Sequence, residues 1–233
     1  EVVSEVSTTN SVSAIARIES PPLIPLRTCQ LRGRQGWLGT GVHPTRFTLM
    51  ATGTHDYASD QRNDEILIWV NGTLKPRNEA VVSVFDSGFV LGDGVWEGIR
   101  VHHGHPAFLE AHLDRLWEGA TALMIDIGLS REELSAAIYE TLAANDMHDG
   151  VHIRLMVSRG VKSTPYQDPR LTIGSATVVI IAEHKEPLPS TVTEGITLFT
   201  THVRRANPDT LDPRLNAHSK LNDITACIQA ANA

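Results

Sequence analysis

The sequence predicts an α+β fold, and three patterns support this. A β-rich stretch opens at Glu65, two segments with helical spacing follow, and further strand patterns come after them. The apolar fraction of 41% is enough for a sizeable core. The formal charge of −7 disfavours a nucleic-acid partner, because phosphate backbones are bound mainly by Lys and Arg.

The first elements are predicted to be strands. Residues 66–70 form an apolar run, and Asn71-Gly72 directly after it is the strongest short signal for a hairpin. Residues 81–85 and 98–102 are further strand candidates, and residues 103–106 make a turn before the next element. We therefore expect a β-rich opening to the folded region.

Two amphipathic helices are predicted next. The first spans residues 109–123, where apolar residues recur at helical spacing: Leu109, Leu113, Leu116, Trp117, Ala120 and Leu123. The second opens at Ser130, which forms a capping box with Glu133. Its apolar face consists of Leu134, Ile138 and Leu142.

The later part of the chain predicts three strands, a linker and a last helix. The strands are residues 151–157, 176–182 and 196–201, and the helix is residues 221–230. Residues 186–190 contain two prolines and predict a domain boundary. The domains are then a small α/β domain over 65–185 and the incomplete start of a second over 191–233, which is too short to bury a core alone.

Residues 1–64 are predicted to be a disordered or non-native extension. The first 49 residues are rich in Ser, Thr, Pro and Gly without periodicity, and Met50 is the expected natural start. Cys29 and Cys227 lack the spacing of a disulfide framework or zinc site, which fits a reducing, cytoplasmic location. The longest clean apolar run, 177–182, is far too short to cross a membrane.

Motifs for common chemistries are absent from the sequence. No Gly-rich nucleotide loop or HExxH pattern occurs, and His102, His103 and His105 around a turn are a poor metal set, so we predict no metal. The run Asp86-Ser87-Gly88 is interpreted as a turn and not as a hydrolase elbow. Spacing alone leaves Arg115 as a surface partner of Glu118 and Lys220 as either a surface residue or a buried nucleophile.

Residues 84–100, VFDSGFVLGDGVWEGIR, carry a family resemblance. They resemble class IV (fold type IV) aminotransferases, which depend on pyridoxal 5'-phosphate (PLP). The Gly-Asp-Gly-Val-aromatic-Glu-Gly-Ile-Arg part is most similar to the branched-chain branch. The resemblance continues at residues 112–116, 153–155 and 205–208 and covers about residues 65–233. It implies a small N-terminal α/β domain, a larger C-terminal domain, a homodimer, and PLP held between the domains.

The resemblance also implies roles for two residues. Arg115 matches the helix arginine that binds the PLP phosphate, and a guanidinium forks onto phosphate oxygens. Lys220 is the lysine available for the Schiff base, although Asn216 stands at the position of the family lysine, four residues earlier. Because positions i and i+4 share one side of a helix, we expect Lys220 to reach the cofactor. The alternative is a relative that has lost its Schiff base.

Substrate residues follow from the same comparison. Trp96, Arg100, His152 and Arg154 are expected to contact the substrate, and strand alternation places His152 and Arg154 on one face. Leu91 and His152 depart from the branched-chain pattern, and Arg159 is an alternative carboxylate partner for a D-amino-acid enzyme.

We therefore expect transamination of branched-chain amino acids with 2-oxoglutarate. The alternatives are a D-amino-acid or amine transaminase, an aminodeoxychorismate lyase, and a non-catalytic PLP-binding protein. In the family, the acid that pairs with the pyridine nitrogen lies beyond the position of Ala233. Since that acid stabilises the electron-poor ring, we expect residues 1–233 alone to be weakly active or inactive.

Overall fold

The computed structural model describes residues 59–232, and these confirm the α+β prediction. The predicted start at Met50 and most of the predicted extension lie outside the described residues. The strands are β1 Leu67–Val70, β2 Thr73–Pro76, β3 Gly94–His102, β4 His105–Pro106, β5 Val151–Ser158, β6 Val161–Lys162, β7 Thr172–Ile173 and β8 Thr177–His184. The helices are α1 Ser87–Leu91, α2 Leu109–Ala122, α3 Arg131–Ala144, α4 Ser190–Thr193 and α5 Leu221–Ala231. Short 3₁₀ turns occupy Gln61–Asn63 and Pro169–Leu171.

Six of the strands form one antiparallel sheet in the order β2-β1-β8-β5-β3-β4. Its centre is the pairing of β5 with β3 on one side and β8 on the other, in which Ile153 lies opposite Ile99 and Leu155 opposite Ile180. Strands β6 and β7 form a separate two-stranded ribbon. None of the helices in residues 59–232 is long and apolar enough to cross a membrane.

The predicted hairpin joins β1 to β2. Asn71 and Gly72 have φ values of +47° and +88°, which is the left-handed geometry that a two-residue hairpin turn requires. Val70 and Thr73 pair directly across it. The Asn71 side chain also accepts a hydrogen bond of 2.7 Å from the Val178 amide, so the turn is tied to β8.

Helices α2 and α3 cover one face of the sheet and confirm the two predicted amphipathic helices. Along β3 the side chains of Val95, Ile99 and Val101 are buried on this face. The helices bury Leu113, Leu116, Leu134, Ile138 and Leu142 against the sheet. The predicted capping box is present, since Ser130 Oγ accepts from the Glu133 amide at 3.1 Å and Glu133 Oε2 from the Ser130 amide at 2.7 Å.

Two predicted strands were wrong. Residues 81–85 and 196–201 are irregular, and Val81 is 68% and Leu198 81% exposed. Both segments have the β-branched or apolar content of strands. In the first, the Phe85 carbonyl accepts from the Lys162 amide of β6 at 2.9 Å, but residues 81–84 form no ladder. The run Asp86-Ser87-Gly88 is also more than a turn, because Asp86 caps α1 by accepting from the Gly88 amide at 2.8 Å.

Residues 216–218 attach the C-terminal segment to the sheet. The amide of Trp96 donates to the Asn216 carbonyl at 3.0 Å, and the amide of His218 donates to the Gly94 carbonyl at 2.9 Å. These bonds use the edge of β3 that β4 leaves uncovered. Gly94 is required here, because a Cβ would lie 2.5 Å from the Val157 carbonyl oxygen and 2.6 Å from the His218 ring. The domain boundary at 186–190 stays a prediction.

Candidate active site

A cleft of about 540 Å³ lies between the sheet and the segment that leads into α5. All six residues singled out from the sequence line it: Trp96, Arg100, Arg115, His152, Arg154 and Lys220. Trp96, Gly98 and Arg100 alternate with the core residues of β3, so they point to the face that α2 and α3 leave open. Side chains of β3 therefore point alternately into the core and into the cleft.

The cleft is strongly cationic. Seven of its lining residues carry Lys or Arg side chains, and none of the lining residues is acidic: the seven are Arg100, Arg115, Arg154, Lys185, Arg205, Arg214 and Lys220. A concave site lined by one sign of charge concentrates ligands of the opposite sign. The chain is acidic as a whole, but the charge of this cleft favours an anionic ligand.

Arg115 reaches the cleft from α2 and is held by a buried carboxylate. Its Nε lies 2.7 Å from Glu97 Oε1 and its Nη2 lies 2.5 Å from Glu97 Oε2. His112 Nδ1 is 2.8 Å from the same Oε2. The Glu97 side chain is 0% exposed and that of Arg115 is 51% exposed. The hydrogen bonds that Arg115 donates to Glu97 raise the pKa of Arg115, and they leave Nη1 for a ligand.

This contact corrects the sequence interpretation, which paired Arg115 with Glu118. The alternation of β3 could have indicated the true partner of Arg115, because it places Glu97 in a core position between Val95 and Ile99. A carboxylate at such a position needs a cationic or hydrogen-bonding partner, because an unpaired buried charge is costly.

The Trp96 ring lies close to two of the cations expected in the site. The Arg154 guanidinium is 4.2 Å and the Lys220 Nζ 5.1 Å from the centre of its ring. Cations are attracted to the face of an indole, so Trp96 holds both charges in the cleft.

Lys220 lies just before the first residue of α5. Residues 216–219 are not helical, so the expectation that Asn216 and Lys220 share a helix face was wrong. The two residues nevertheless meet, with Lys220 Nζ donating to Asn216 Oδ1 at 3.1 Å.

Burial lowers the pKa of Lys220, and the nearby cations Arg205, Arg154 and Arg115 lower it further, whereas Asp223 opposes them. A lysine with a lowered pKa carries the neutral amine at a lower pH than an exposed lysine does. The neutral amine is the nucleophilic form.

Gly98 forms the floor of the cleft between Trp96 and Arg100. A Cβ at this position would lie 3.0 Å from His152 Nε2 and 3.3 Å from Trp96 Cζ3. The glycine therefore lets the rings of His152 and Trp96 pack closely over this part of β3.

Some sequence candidates lie elsewhere. Arg159 is away from the cleft, because its guanidinium is paired with Asp93 at 2.7 Å and donates to the Leu123 carbonyl at 2.8 Å. Within residues 59–232 no cluster of three or more His, Cys, Asp or Glu side chains is arranged to hold a metal ion.

Conversely, Lys185, Arg205 and Arg214 line the cleft and were not chosen as site residues from the sequence. They lie in irregular segments, where no periodicity indicates the direction of a side chain.

A family model for amino-transferase class IV matches residues 94–233. The chain belongs to the class IV aminotransferase family. Class IV aminotransferases depend on PLP, which confirms the cofactor expected for the family. The matched range contains every residue predicted for the site.

Individual relatives of this chain within the class IV aminotransferase family carry branched-chain names. The chain is 36% identical to branched-chain-amino-acid aminotransferase-like protein 2 of Arabidopsis thaliana, over 91% of this chain and 36% of the relative. It is 42% identical to a putative branched-chain-amino-acid aminotransferase of Methanocaldococcus jannaschii, over 70% of this chain and 55% of the relative. The chain thus spans between about a third and about half of the length of these relatives.

A solved structure supports the fold. The branched-chain aminotransferase of the thermophilic archaeon Thermoproteus uzoniensis, crystallised with norvaline, superposes with a TM-score of 0.57 at 26% identity. The match covers 71% of this chain and 56% of that chain. The predicted fold type IV architecture is therefore confirmed for the part of the fold that this chain represents.

Proposed function

We propose that this protein is a PLP-dependent transaminase that uses branched-chain amino acids as amino donors and 2-oxoglutarate as acceptor. The observation that carries the proposal is the convergence of Lys220, with its lowered pKa, and six other cations on one cleft. The branched-chain names of the two relatives support the choice of donor. The cationic lining suits an acceptor with two carboxylates.

The cleft residues fit the cofactor in three respects. Arg115 offers Nη1 to a phosphate while Glu97 fixes the orientation of its guanidinium. Lys220 offers an amine able to attack an aldehyde carbon. The other Lys and Arg side chains that line the cleft attract the negatively charged phosphate. When bound, PLP supplies an electron sink for the charge that develops at the amino acid Cα.

The protein side chains divide the remaining work. Lys220 would hold the cofactor covalently and, once its amine is released, act as the base and acid that moves a proton at the substrate Cα. Arg154 and Arg100 would orient substrate carboxylates. Arg100 is itself oriented by a hydrogen bond from Nη1 to the Lys185 carbonyl. Trp96 and His152 would contact the rest of the substrate.

Two further proposals concern assembly and location. We infer a homodimer from the family resemblance, and the molar mass in solution measured by light scattering tests it. We also infer a cytoplasmic location, supported by the free, exposed thiol of Cys227. Localisation of a tagged full-length protein tests it.

The Schiff base is tested by trapping. PLP is added to the protein, the mixture is reduced with borohydride, and the modified lysine is located by peptide mass. We expect the label on Lys220 and its loss in Lys220→Arg, which keeps the charge and removes the nucleophile at neutral pH. Absence of label from Lys220 in the folded protein would contradict the proposal.

Half-reactions then separate the substrates. Spectral conversion of the bound cofactor by L-leucine supports the branched-chain assignment, whereas conversion only by D-alanine or a simple amine supports the corresponding alternative. Release of pyruvate from aminodeoxychorismate would indicate a lyase. Bound PLP with no exchange of an amino group would indicate a binding protein.

A further inference from the structure

Asn216 uses both ends of its side chain at the cleft. Its Nδ2 donates to the Trp96 carbonyl at 2.6 Å, and its Oδ1 accepts from Lys220 Nζ at 3.1 Å. A carbonyl oxygen can only accept, so Trp96 determines which end of the amide faces β3. The oxygen is then presented to Lys220. The amide thus links the edge of the sheet to the lysine.

This link counteracts a repulsion. The charged groups that act on Lys220 are Arg205, Arg154 and Arg115, which repel its charged form, and Asp223, which attracts it. The cleft is open to solvent, and an extended lysine side chain has many rotamers that would take its charge away from the three arginines. The Asn216 oxygen and the Trp96 ring are the contacts that keep Nζ inside.

We propose that Asn216 is a positioning residue that holds the Lys220 amine inside the cleft, over the Trp96 ring, where an aldehyde can reach it. This inference rests on the proposed function for one point, that the Lys220 amine is held there in order to react with PLP. The location of the amine itself is a property of the chain without a ligand. The residue that replaces the family lysine thus has a task of its own in this protein.

The test compares the reactivity of Lys220 in the unmodified chain with its reactivity in Asn216→Ala, both without PLP. Lysines are labelled with trace acetic anhydride between pH 6 and 11, and the label on each lysine peptide is quantified by mass. In the unmodified chain we expect the Lys220 midpoint to lie below that of the lysine in a short reference peptide added to the same sample, because burial lowers the pKa of Lys220. In Asn216→Ala the freed amine moves into solvent, and the midpoint rises toward that of the reference peptide. Each unit of rise lowers the neutral-amine fraction at pH 7.5 about tenfold.

The sign of the change makes the test decisive. If Lys220 stayed in place without Asn216, losing an acceptor for its ammonium group would lower the midpoint or leave it unchanged. Either result would overturn the proposal. Asn222→Ala is the matched control, since that side chain lies nearby, donates to the Arg204 carbonyl at 2.8 Å, and does not touch Lys220. We expect no change in the Lys220 midpoint there.

A second variant tests whether the effect of Asn216→Ala comes from detachment of residues 216–218 from β3. Asn216→Ser keeps a small polar side chain but removes the amide oxygen that accepts from Lys220 Nζ. The backbone bonds between residues 216–218 and β3 do not involve the side chain, and hydrogen exchange at the His218 amide monitors them. With that amide protected, a raised Lys220 midpoint supports the proposal and an unchanged one refutes it.

PLP trapping distinguishes this inference from the proposed function. If labelling shifts with Asn216 but borohydride traps no PLP on Lys220, then the proposed function fails and the positioning role stands. If PLP is trapped on Lys220 equally in the unmodified chain and in Asn216→Ala, and the labelling midpoint is the same, then the proposed function stands and the positioning role fails.

Discussion

Glu97 and Arg115 are expected to respond unequally to substitution, because one is fully buried and the other is half-exposed. Arg115→Met removes the cation and leaves the Glu97 carboxylate in the core with only His112 beside it. Breaking a buried pair in this direction costs about 3–5 kcal/mol. Glu97→Gln removes the buried charge and leaves a cation that water can solvate. We expect that variant to lose about 1–2 kcal/mol, since the amide oxygen still accepts one bond.

The double variant provides the control. In Glu97→Gln/Arg115→Met no charge is left in the core, so its loss of stability should be smaller than that of Arg115→Met alone. The measurement is urea unfolding of the four proteins, followed by far-UV circular dichroism and tryptophan fluorescence. Equal losses for the two single variants, or losses that simply add in the double variant, would refute the argument from unequal burial.

Three other predictions concern single positions. Gly98→Ala should raise the KM for amino donors and cost less unfolding free energy than Gly94→Ala, because its Cβ meets the side-chain rings of His152 and Trp96 and no backbone atom; a loss of stability equal to that of Gly94→Ala would contradict this. Gly94→Ala should cost about 1–3 kcal/mol or more in urea unfolding, since its Cβ meets the Val157 backbone, and an unchanged midpoint would refute the clash. Burial is the main cause that lowers the pKa of His218, so the folded state binds fewer protons than the unfolded state, and thermal stability should fall as the pH drops below about 6.5. His218→Gln should weaken that dependence, and an unaltered slope would exclude His218 as its source.

Local signals predicted the elements that depend on neighbouring residues. Asn71-Gly72 specifies its hairpin through two positive φ angles, and Ser130 with Glu133 specifies the start of α3. The segments 81–85 and 196–201 have strand composition and are not strands. Strand formation depends on an edge supplied by a distant part of the chain, which composition does not reveal.

The candidate site was predictable where a motif and a periodic element coincide. His152 and Arg154 could be placed on one strand face from the sequence alone, and Arg115 on its helix. Trp96 lies in the part of β3 that precedes the strand predicted at 98–102. The partner of Arg115 was missed because i+3 spacing considers one helix only, whereas Glu97 approaches from the sheet. Arg205 was missed because loops have no period.

The pairing of residues 216–218 with β3 also has a consequence for solubility. The first half of β3 would otherwise present unpaired amides and carbonyls at a sheet border, which is the kind of surface that recruits strands from other molecules. The short segment that brings Lys220 to the cleft occupies those groups. If the C-terminal segment detached from β3, Lys220 would leave the cleft and the unpaired edge of β3 would be exposed in the same event. Aggregation and loss of activity should therefore begin under the same conditions.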